Sequence, residues 1–171
     1  CHQLTATMEL PLDLSVIAVL PHMHWLGEEI KLTATLPDGT VQPMIWIKDW
    51  NFYWQDQYVY EEPIKLPKGT VVKVEGWFDN TADNPTQPSD PPQRVLFGME
   101  TTDEMCLAIM QVVPEDPQAG SQLRTALLRS FMKQLNDPTI SQESRERLLE
   151  QFSRFRSGDS DFTKALFNSG G

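Results

Sequence analysis

Cysteine and histidine are scarce in this 171-residue chain, which holds two of the first and three of the second. No apolar run approaches the roughly 18 residues that a membrane-spanning helix needs, so we expect no membrane span. The motifs G-x-S-x-G, G-x-x-x-x-G-K and C-x-x-C are missing as well. The nucleophilic, phosphate-binding and dithiol chemistries that those motifs serve therefore have no support in this sequence.

Positive charge is rare in the first two thirds of the chain. Residues 1–116 carry 18 acidic and 6 basic side chains, whereas residues 117–171 carry 6 and 8. The net charge of −12 on the first part argues against a nucleic-acid surface, so we expect no nucleic-acid partner. The weakly basic second part could lie against the acidic part or against a partner, but we favour a solvated helical face.

The chain begins at Cys1, without a charged and then apolar leader. We therefore expect a mature chain or an excised piece of a longer protein. A lipoprotein anchor at Cys1 is disfavoured, because no flexible tether separates it from the first predicted strand. A disulfide between Cys1 and Cys106 stays open, with a buried free thiol at Cys106 as the other interpretation.

Residues 1–115 have the pattern of an all-β domain. Apolar residues alternate through positions 30–36, a P-D-G-T turn follows, and residues 41–47 complete a predicted hairpin. Residues 79–93 are predicted to be loop, since Asn, Asp, Pro and Ser dominate there. Eight or nine short strands in all predict a mainly β fold, an antiparallel β-sandwich or jelly roll. The predicted strands are 5–10, 14–20, 30–36, 41–47, 58–60, 64–66, 71–78, 95–97 and 105–113.

The pattern changes to a helical one near residue 114. Asp116 before Pro117 predicts a helix N-cap followed by a first-turn proline. Apolar residues then recur at helical spacing, and they predict two to three amphipathic helices. We therefore divide the chain into a sandwich, residues 1–115, and an α-helical tail, residues 116–171. The predicted stripes are Leu123, Leu127, Leu128, Phe131 and Leu135; Leu148, Leu149, Phe152 and Phe155 after a Ser141 cap and before Gly158; and Phe162, Leu166 and Phe167 from about Ser160.

His22 and His24 form an H-x-H pair at the end of a predicted strand. Side chains two residues apart in a strand point to the same side, so the pair aims two imidazoles at one point. Imidazole binds several transition metals, whereas a thioether such as that of Met105 favours Cu(I). The three residues His22, His24 and Met105 therefore predict a redox copper site.

Each of these residues also has a purely structural interpretation. The histidines could be partly exposed at a strand end, and a methionine in a β-core is more often a filler than a ligand. Six other methionines compete with Met105 on pattern alone: Met8, Met23, Met44, Met99, Met110 and Met132.

Two further segments have alternative interpretations. The oxygen-rich residues 79–85 could bind Ca²⁺, but we favour Asx turns, because the EF-hand glycine and bidentate glutamate are missing. The aromatic residues between positions 46 and 60 could line a ligand pocket or stack on a sugar or aromatic ligand. We favour a small core beneath a long connection.

The segments P-H-M-H-W-L-G (21–27) and T-D-E-M-C (102–106) together resemble the copper type II ascorbate-dependent monooxygenases, in their C-terminal, oxygen-activating domain. The intervening segments are similar to a bacterial branch of that family: L-P-D-G-T (36–40), W-I-K-D-W-N-F (46–52), L-P-K-G-T (66–70) and F-D-N-T-A-D-N-P (78–85). The resemblance covers roughly residues 1–113. It implies that His22, His24 and Met105 hold the copper that binds O₂.

The resemblance implies a copper-dependent monooxygenase domain that hydroxylates a C–H bond of a small organic substrate, with ascorbate or a similar one-electron donor. The family holds its other copper with three histidines of a preceding domain, and only His2 remains here. We therefore expect an incomplete enzyme that adjoins a second copper domain in an extracytoplasmic protein, periplasmic or secreted. The alternative is a non-catalytic copper-binding or ligand-binding β-sandwich module of such a protein.

The chain departs from the peptide-hydroxylating members of the family at two places. Leu20, Leu107 and Ile109 stand where those members have the Arg, Asn and Tyr that bind the substrate, so we do not expect a peptidylglycine substrate. The cysteine that those members pair with the cysteine after the methionine falls near Gly76 here. We therefore expect Cys106 to lack that disulfide.

Overall fold

The computed structural model describes residues 1–136, 138 and 142–157. Across these residues, seven strands form a four-stranded sheet in the order β1-β6-β3-β4 and a three-stranded sheet in the order β5-β2-β7. Every pair of neighbouring strands is antiparallel. The mainly β prediction is therefore confirmed. The strands are β1 (His2–Glu9), β2 (Leu14–Met23), β3 (Gly27–Thr35), β4 (Val41–Ile47), β5 (Tyr58–Leu66), β6 (Val71–Phe78) and β7 (Cys106–Pro114).

The predicted hairpin joins β3 to β4. Its turn places Gly39 at a φ of 87°, a conformation that residues with a side chain rarely adopt. The Asp38 carboxylate accepts a hydrogen bond from the Thr40 amide (2.8 Å), and the Leu36 amide donates to the Thr40 carbonyl (2.8 Å). This local chemistry sets the turn and hence the pairing of the two strands.

Two of the predicted strand assignments differ from the structure. Residues 58–60 and 64–66 belong to one continuous strand, β5, although Pro63 lies between them. This edge position suits proline, because one side of an edge strand needs no ladder hydrogen bonds. Residues 95–97 are not a strand, since Phe97 makes only one isolated bridge, to Glu104.

In the part of the chain that the structure describes, the core between the sheets includes two clusters of buried side chains. The larger one contains Leu10, Leu14, Val16, Val19, Leu32, Ala34, Met44, Leu66 and Val72. The smaller one contains Met23, Leu26, Ile30, Trp50 and Phe78. This smaller cluster lies where β2 ends and β3 begins, and Met23, which stands between the two histidines, is fully buried in it. Burying a methionine side chain stabilises a fold by about 1.5–3 kcal/mol, so Met23 anchors this strand end.

The helical tail begins as the sequence predicts. Asp116 accepts a hydrogen bond from the Gln118 amide (2.9 Å) and caps a 3₁₀ turn, Pro117–Ala119. Helix α1 (Gly120–Leu135) follows directly, and Leu123 packs against the larger core cluster. Leu127 and Leu128 are 45% and 44% exposed, so the sandwich covers only part of the predicted stripe.

Helix α2 spans Gln142–Ser157. The predicted Ser141 cap, the Gly158 stop and the third helix lie outside the described residues, as do the side chains of Leu148, Phe152 and Phe155. Neither α1 nor α2 has the length and apolarity that crossing a membrane requires.

The loop after β6 forms the Asx turns that the sequence favours. The Asp79 carboxylate accepts from the Thr81 amide (3.0 Å), and the Asn84 side chain accepts from the Thr86 amide (2.9 Å). The Asn84 amide group also donates to the Asp79 carbonyl (2.6 Å). The polar groups of this loop thus satisfy one another.

Candidate metal centre

His22 and His24 lie together at one end of the three-stranded sheet. His22 is the penultimate residue of β2, and His24 opens the tight turn into β3, where the Gly27 amide donates to the His24 carbonyl (2.9 Å). A side chain at Gly27 would meet Met23 Cβ at 2.7 Å, so this turn requires glycine. The two imidazoles are 3% and 4% exposed, and their centroids are 5.1 Å apart at an interplanar angle of 89°.

The hydrogen bonds of the two rings determine which nitrogen carries the proton. His22 Nδ1 lies 2.6 Å from Gln55 Oε1, and the Gln55 amide nitrogen donates to the Phe52 carbonyl (2.7 Å). Gln55 therefore presents an acceptor, and His22 Nδ1 is the donor. His24 Nδ1 lies 3.2 Å from the Asp103 carbonyl, which can only accept. Both Nε2 atoms are consequently unprotonated in the neutral rings, as a metal-binding histidine pair requires.

Burial keeps both imidazoles neutral. It lowers the pKa of His22, against the opposing effect of the Gln55 hydrogen bond. Burial is also the main cause that lowers the pKa of His24 from 6.5 to about 4, and the nearby His22 adds to it, while the Asp103 carbonyl opposes it. Because a metal binds the unprotonated imidazole, no proton has to be displaced from either Nε2 atom near neutral pH.

Met105 lies immediately before β7, the strand that pairs with β2. In that ladder Met23 pairs with Cys106 and His22 pairs with Leu107. Met105 is thus the next residue in line after the last ladder pair, on the side of the ladder where His24 follows β2. Its side chain is 2% exposed.

Most of the other six methionines differ from Met105 in their surroundings. Met44 and Met23 belong to the two core clusters, Met8 and Met110 pack against the larger one, and Met132 is 53% exposed on α1. Met105 is buried without belonging to either cluster. Met99, partly buried in the loop before Met105, stays a competitor.

The described residues contain no group of three or more His, Cys, Asp or Glu side chains that could hold a metal ion. The third ligand that the sequence predicts for the His22–His24 pair is of another kind, the thioether of Met105.

The aromatic segment after β4 contributes to the core and to the surroundings of the histidine pair. Trp50 is buried in the smaller core cluster, which fits the predicted small core. Phe52 packs edge-to-face against His24 (6.5 Å, 74°) and Trp25 (6.0 Å, 87°), and so forms one wall of the histidine pair. Tyr53 and Trp54 are 69% and 75% exposed, next to Gln55.

Sequence reasoning missed the groups that orient the imidazoles. The sequence pattern names neither the Gln55 side chain nor the Asp103 carbonyl. Glu104 is a largely buried carboxylate whose Oε2 lies 3.2 Å from His2 Nε2, and the His2 ring stacks on Phe78 (5.3 Å, 15°). The third histidine thus pairs with a carboxylate beside Met105.

Cys106 faces Gly76 across the sandwich. A Cβ atom added to Gly76 would lie 2.6 Å from Cys106 Sγ, so the position that the resemblance indicates for a cysteine partner is directly opposite. Both cysteines of the chain lie within the described part, and both are free. Burial raises the pKa of the Cys106 thiol to about 12, which makes it a poor nucleophile.

These features define an antiparallel β-sandwich that carries two buried, neutral imidazoles with available Nε2 atoms. A family model described as the copper type II ascorbate-dependent monooxygenase, C-terminal domain, matches residues 1–119. The chain belongs to this family, whose cofactor is copper. No curated protein matches the chain.

The donor atoms suit copper. Neutral imidazole nitrogen binds both common oxidation states of copper, and a thioether sulfur favours Cu(I). The helices α1 and α2 lie beyond the matched residues. The bacterial branch, the boundary at residues 115 and 116, and the extracytoplasmic location stay predictions.

Proposed function

We propose that this chain is the oxygen-activating copper domain of a monooxygenase, with His22, His24 and Met105 as the protein ligands. The observation that supports the proposal most directly is the pair of Nδ1 hydrogen bonds, to Gln55 (2.6 Å) and to the Asp103 carbonyl (3.2 Å). These bonds present both Nε2 atoms for coordination and fix the orientation of the rings. The buried Met105 supplies a soft third donor.

Copper supplies the one-electron redox chemistry and the affinity for O₂ that this reaction needs. The net reaction converts a C–H bond, O₂, two electrons and two protons into a C–OH group and water. Ascorbate or a similar donor provides the electrons. The chain itself orients the ligands through Gln55 and Asp103, and it limits water access by burying both imidazoles.

A second copper site has to come from outside this chain. Its third histidine, His2, pairs with Glu104, and no other histidine remains for a three-histidine site. We propose that an adjoining domain holds that copper and delivers electrons to the centre described here.

The proposed substrate is a small uncharged molecule. Val19 and Met23 of β2 point into the core, so the alternation of the strand places Leu20 on the face that carries His22. Leu20 lines a cleft of about 230 Å³. The lining residues are Ala18, Leu20, Gln57, Ile109, Met110 and Gln111. None of them is charged, and burying a carboxylate there without a cationic partner would be costly.

Copper titration under reducing conditions, followed by X-ray absorption at the copper edge, tests the site. We expect one Cu(I) per chain with two nitrogen neighbours and one sulfur neighbour. The sulfur should disappear in Met105→Leu and persist in Met99→Leu, the matched control in the same loop. A sulfur that disappears only in Met99→Leu would refute the assignment of Met105.

Reaction of the reduced, copper-loaded chain with O₂ tests the catalytic part of the proposal. We expect oxidation that His22→Ala abolishes, and coupling to hydroxylation of an uncharged substrate when an electron donor is present. Copper that binds with the same ligands but never reacts with O₂ would favour the non-catalytic copper-binding module instead.

A further inference from the structure

The segment before Met105 is a compact loop, residues 96–104, which we call the metal-site loop. The Glu104 amide donates to the Leu96 carbonyl (3.1 Å), and the Gly98 amide donates to the Glu104 carbonyl (3.2 Å). Asp103 closes the loop tip, because its amide donates to the Glu100 carbonyl (2.8 Å) and its carboxylate accepts from the Glu100 amide (3.1 Å).

The metal-site loop contacts the histidine pair directly. The Asp103 carbonyl accepts the His24 Nδ1 hydrogen bond (3.2 Å), and the Thr101 carbonyl accepts from the Trp25 amide (3.4 Å). Met105 follows the loop without an intervening residue. The conformation of this loop therefore determines both the orientation of the His24 ring and the position of the Met105 side chain.

The Arg147 side chain of helix α2 reaches the metal-site loop. Its Nη1 atom donates to the Phe97 carbonyl (2.9 Å) and lies 3.8 Å from Asp103 Oδ2. Its Nη2 atom donates to Glu143 Oε1 (3.4 Å), one helical turn away. The guanidinium thus joins both ends of the loop to the helix. A Cβ atom at Gly98 would meet Arg147 Nη1 at 2.7 Å, so the arginine also needs the glycine beside it.

We propose that Arg147 is a positioning residue for the metal centre. From helix α2 it holds the metal-site loop in the conformation that aims the Asp103 carbonyl at His24 and leads into Met105. The inference rests on the proposed function, which makes His24 and Met105 copper ligands. It gives the helical tail, which lies beyond the residues that the family model matches, a role at the site.

Charge and geometry explain why this residue would matter. The metal-site loop carries three carboxylates, Glu100, Asp103 and Glu104, within an acidic sandwich. Arg147 brings a positive charge to within 3.8 Å of one of them, Asp103, and so offsets part of the negative charge of the loop. Its planar guanidinium group also contacts the Phe97 carbonyl and the Asp103 carboxylate at once. A lysine ammonium has no such fixed geometry and would hold the two groups less rigidly.

The test compares Arg147→Ala and Arg147→Lys with Arg124→Ala, which removes the same charge from an exposed position on α1. Partners that orient a metal ligand typically contribute 10- to 100-fold to metal affinity. Because Arg147 acts on the proposed ligands only through the metal-site loop, we expect a smaller effect. Arg147→Ala should weaken Cu(I) binding about 3- to 10-fold, measured by competition with a chelator. Arg147→Lys should recover part of that loss, and Arg124→Ala should bind as the parent does.

Two measurements on the metal-free protein separate this inference from the proposed function. In Arg147→Ala we expect faster amide hydrogen exchange in residues 98–104 and an altered ¹⁵N signal of the His24 ring. Both changes should be smaller in Arg147→Lys, which also serves if Arg147→Ala unfolds helix α2. Unchanged exchange, ring signals and copper affinity in a folded Arg147→Ala would overturn the inference, and so would equal effects in Arg124→Ala. If the parent binds no copper, the proposed function fails, whereas the metal-free measurements still judge the role of Arg147 in the loop.

Discussion

Replacing Gln55 by leucine should weaken copper binding without removing any proposed ligand. The side chain accepts the Nδ1 proton of His22 (2.6 Å) and is held by the Phe52 carbonyl (2.7 Å). Gln55→Leu leaves a buried N–H without an acceptor, which costs about 1–3 kcal/mol. It also lets the proton move to Nε2, the atom that has to bind the metal.

The two physical estimates of this effect agree. Removing the hydrogen-bond partner of a metal-binding histidine typically lowers metal affinity about 10- to 100-fold, which corresponds to roughly 1.4–2.7 kcal/mol. The desolvation argument gives the same range. We therefore expect a Cu(I) dissociation constant about 10- to 100-fold higher in Gln55→Leu, measured by competition with a chromophoric chelator.

Gln42→Leu is the matched control. Its amide also donates to a carbonyl, that of Pro43 (2.8 Å), but it lies on β4 of the other sheet. Gln55→Glu keeps an acceptor for His22 and should retain most of the affinity. An affinity in Gln55→Leu within twofold of the parent, or an equal loss in Gln42→Leu, would refute the tautomer argument.

Three further predictions concern the free energy of unfolding. Because the pKa of His24 is lowered from 6.5 to about 4 in the folded protein, the unfolded chain takes up this proton at higher pH. The free energy of unfolding should therefore be greatest above pH 6.5 and decrease by up to roughly 3 kcal/mol as the pH falls to 4. Urea unfolding at several pH values should show a smaller pH dependence in His24→Gln. Gly76→Ala should destabilise the fold by about 1–3 kcal/mol, because the added methyl group meets Cys106 Sγ at 2.6 Å. Gly76→Cys, in contrast, should form a disulfide with Cys106, and the oxidised protein should unfold at a higher urea concentration than the reduced protein. Gly27→Ala should destabilise the fold by about 1–3 kcal/mol and also weaken copper binding, since its Cβ would lie 2.7 Å from Met23 Cβ in the turn that carries His24. Unchanged urea unfolding and unchanged copper affinity would contradict this steric argument.

The departures from the peptide-hydroxylating pattern acquire a structural meaning. Leu20 and Ile109 pair across β2 and β7, and both line the uncharged cleft. Gly76 lies opposite Cys106, where a second cysteine would be within bonding reach. The chain thus keeps the proposed ligands and changes their surroundings.

Several local features could be predicted from the sequence because they depend on neighbouring residues. The alternation of β3, the turn at Gly39 and the Asp116 cap follow from side-chain periodicity and from turn and capping chemistry. The strand at residues 95–97 was wrong, because a short apolar run becomes a strand only if it finds a partner over its length.

The sequence by itself determined the copper hypothesis. Two imidazoles at i and i+2 share a side of any strand, and the resemblance of residues 21–27 and 102–106 to the copper monooxygenases implies Met105 as the third ligand, so the three residues can be proposed without coordinates. Only the tertiary structure decided what holds these residues in place. Gln55 and Arg147 act across 33 and 50 positions of the chain, and the Asp103 acceptor is a backbone carbonyl. Every residue has such a carbonyl, so its role has no sequence signature, and contacts between distant segments arise only when the two sheets and the helix come together.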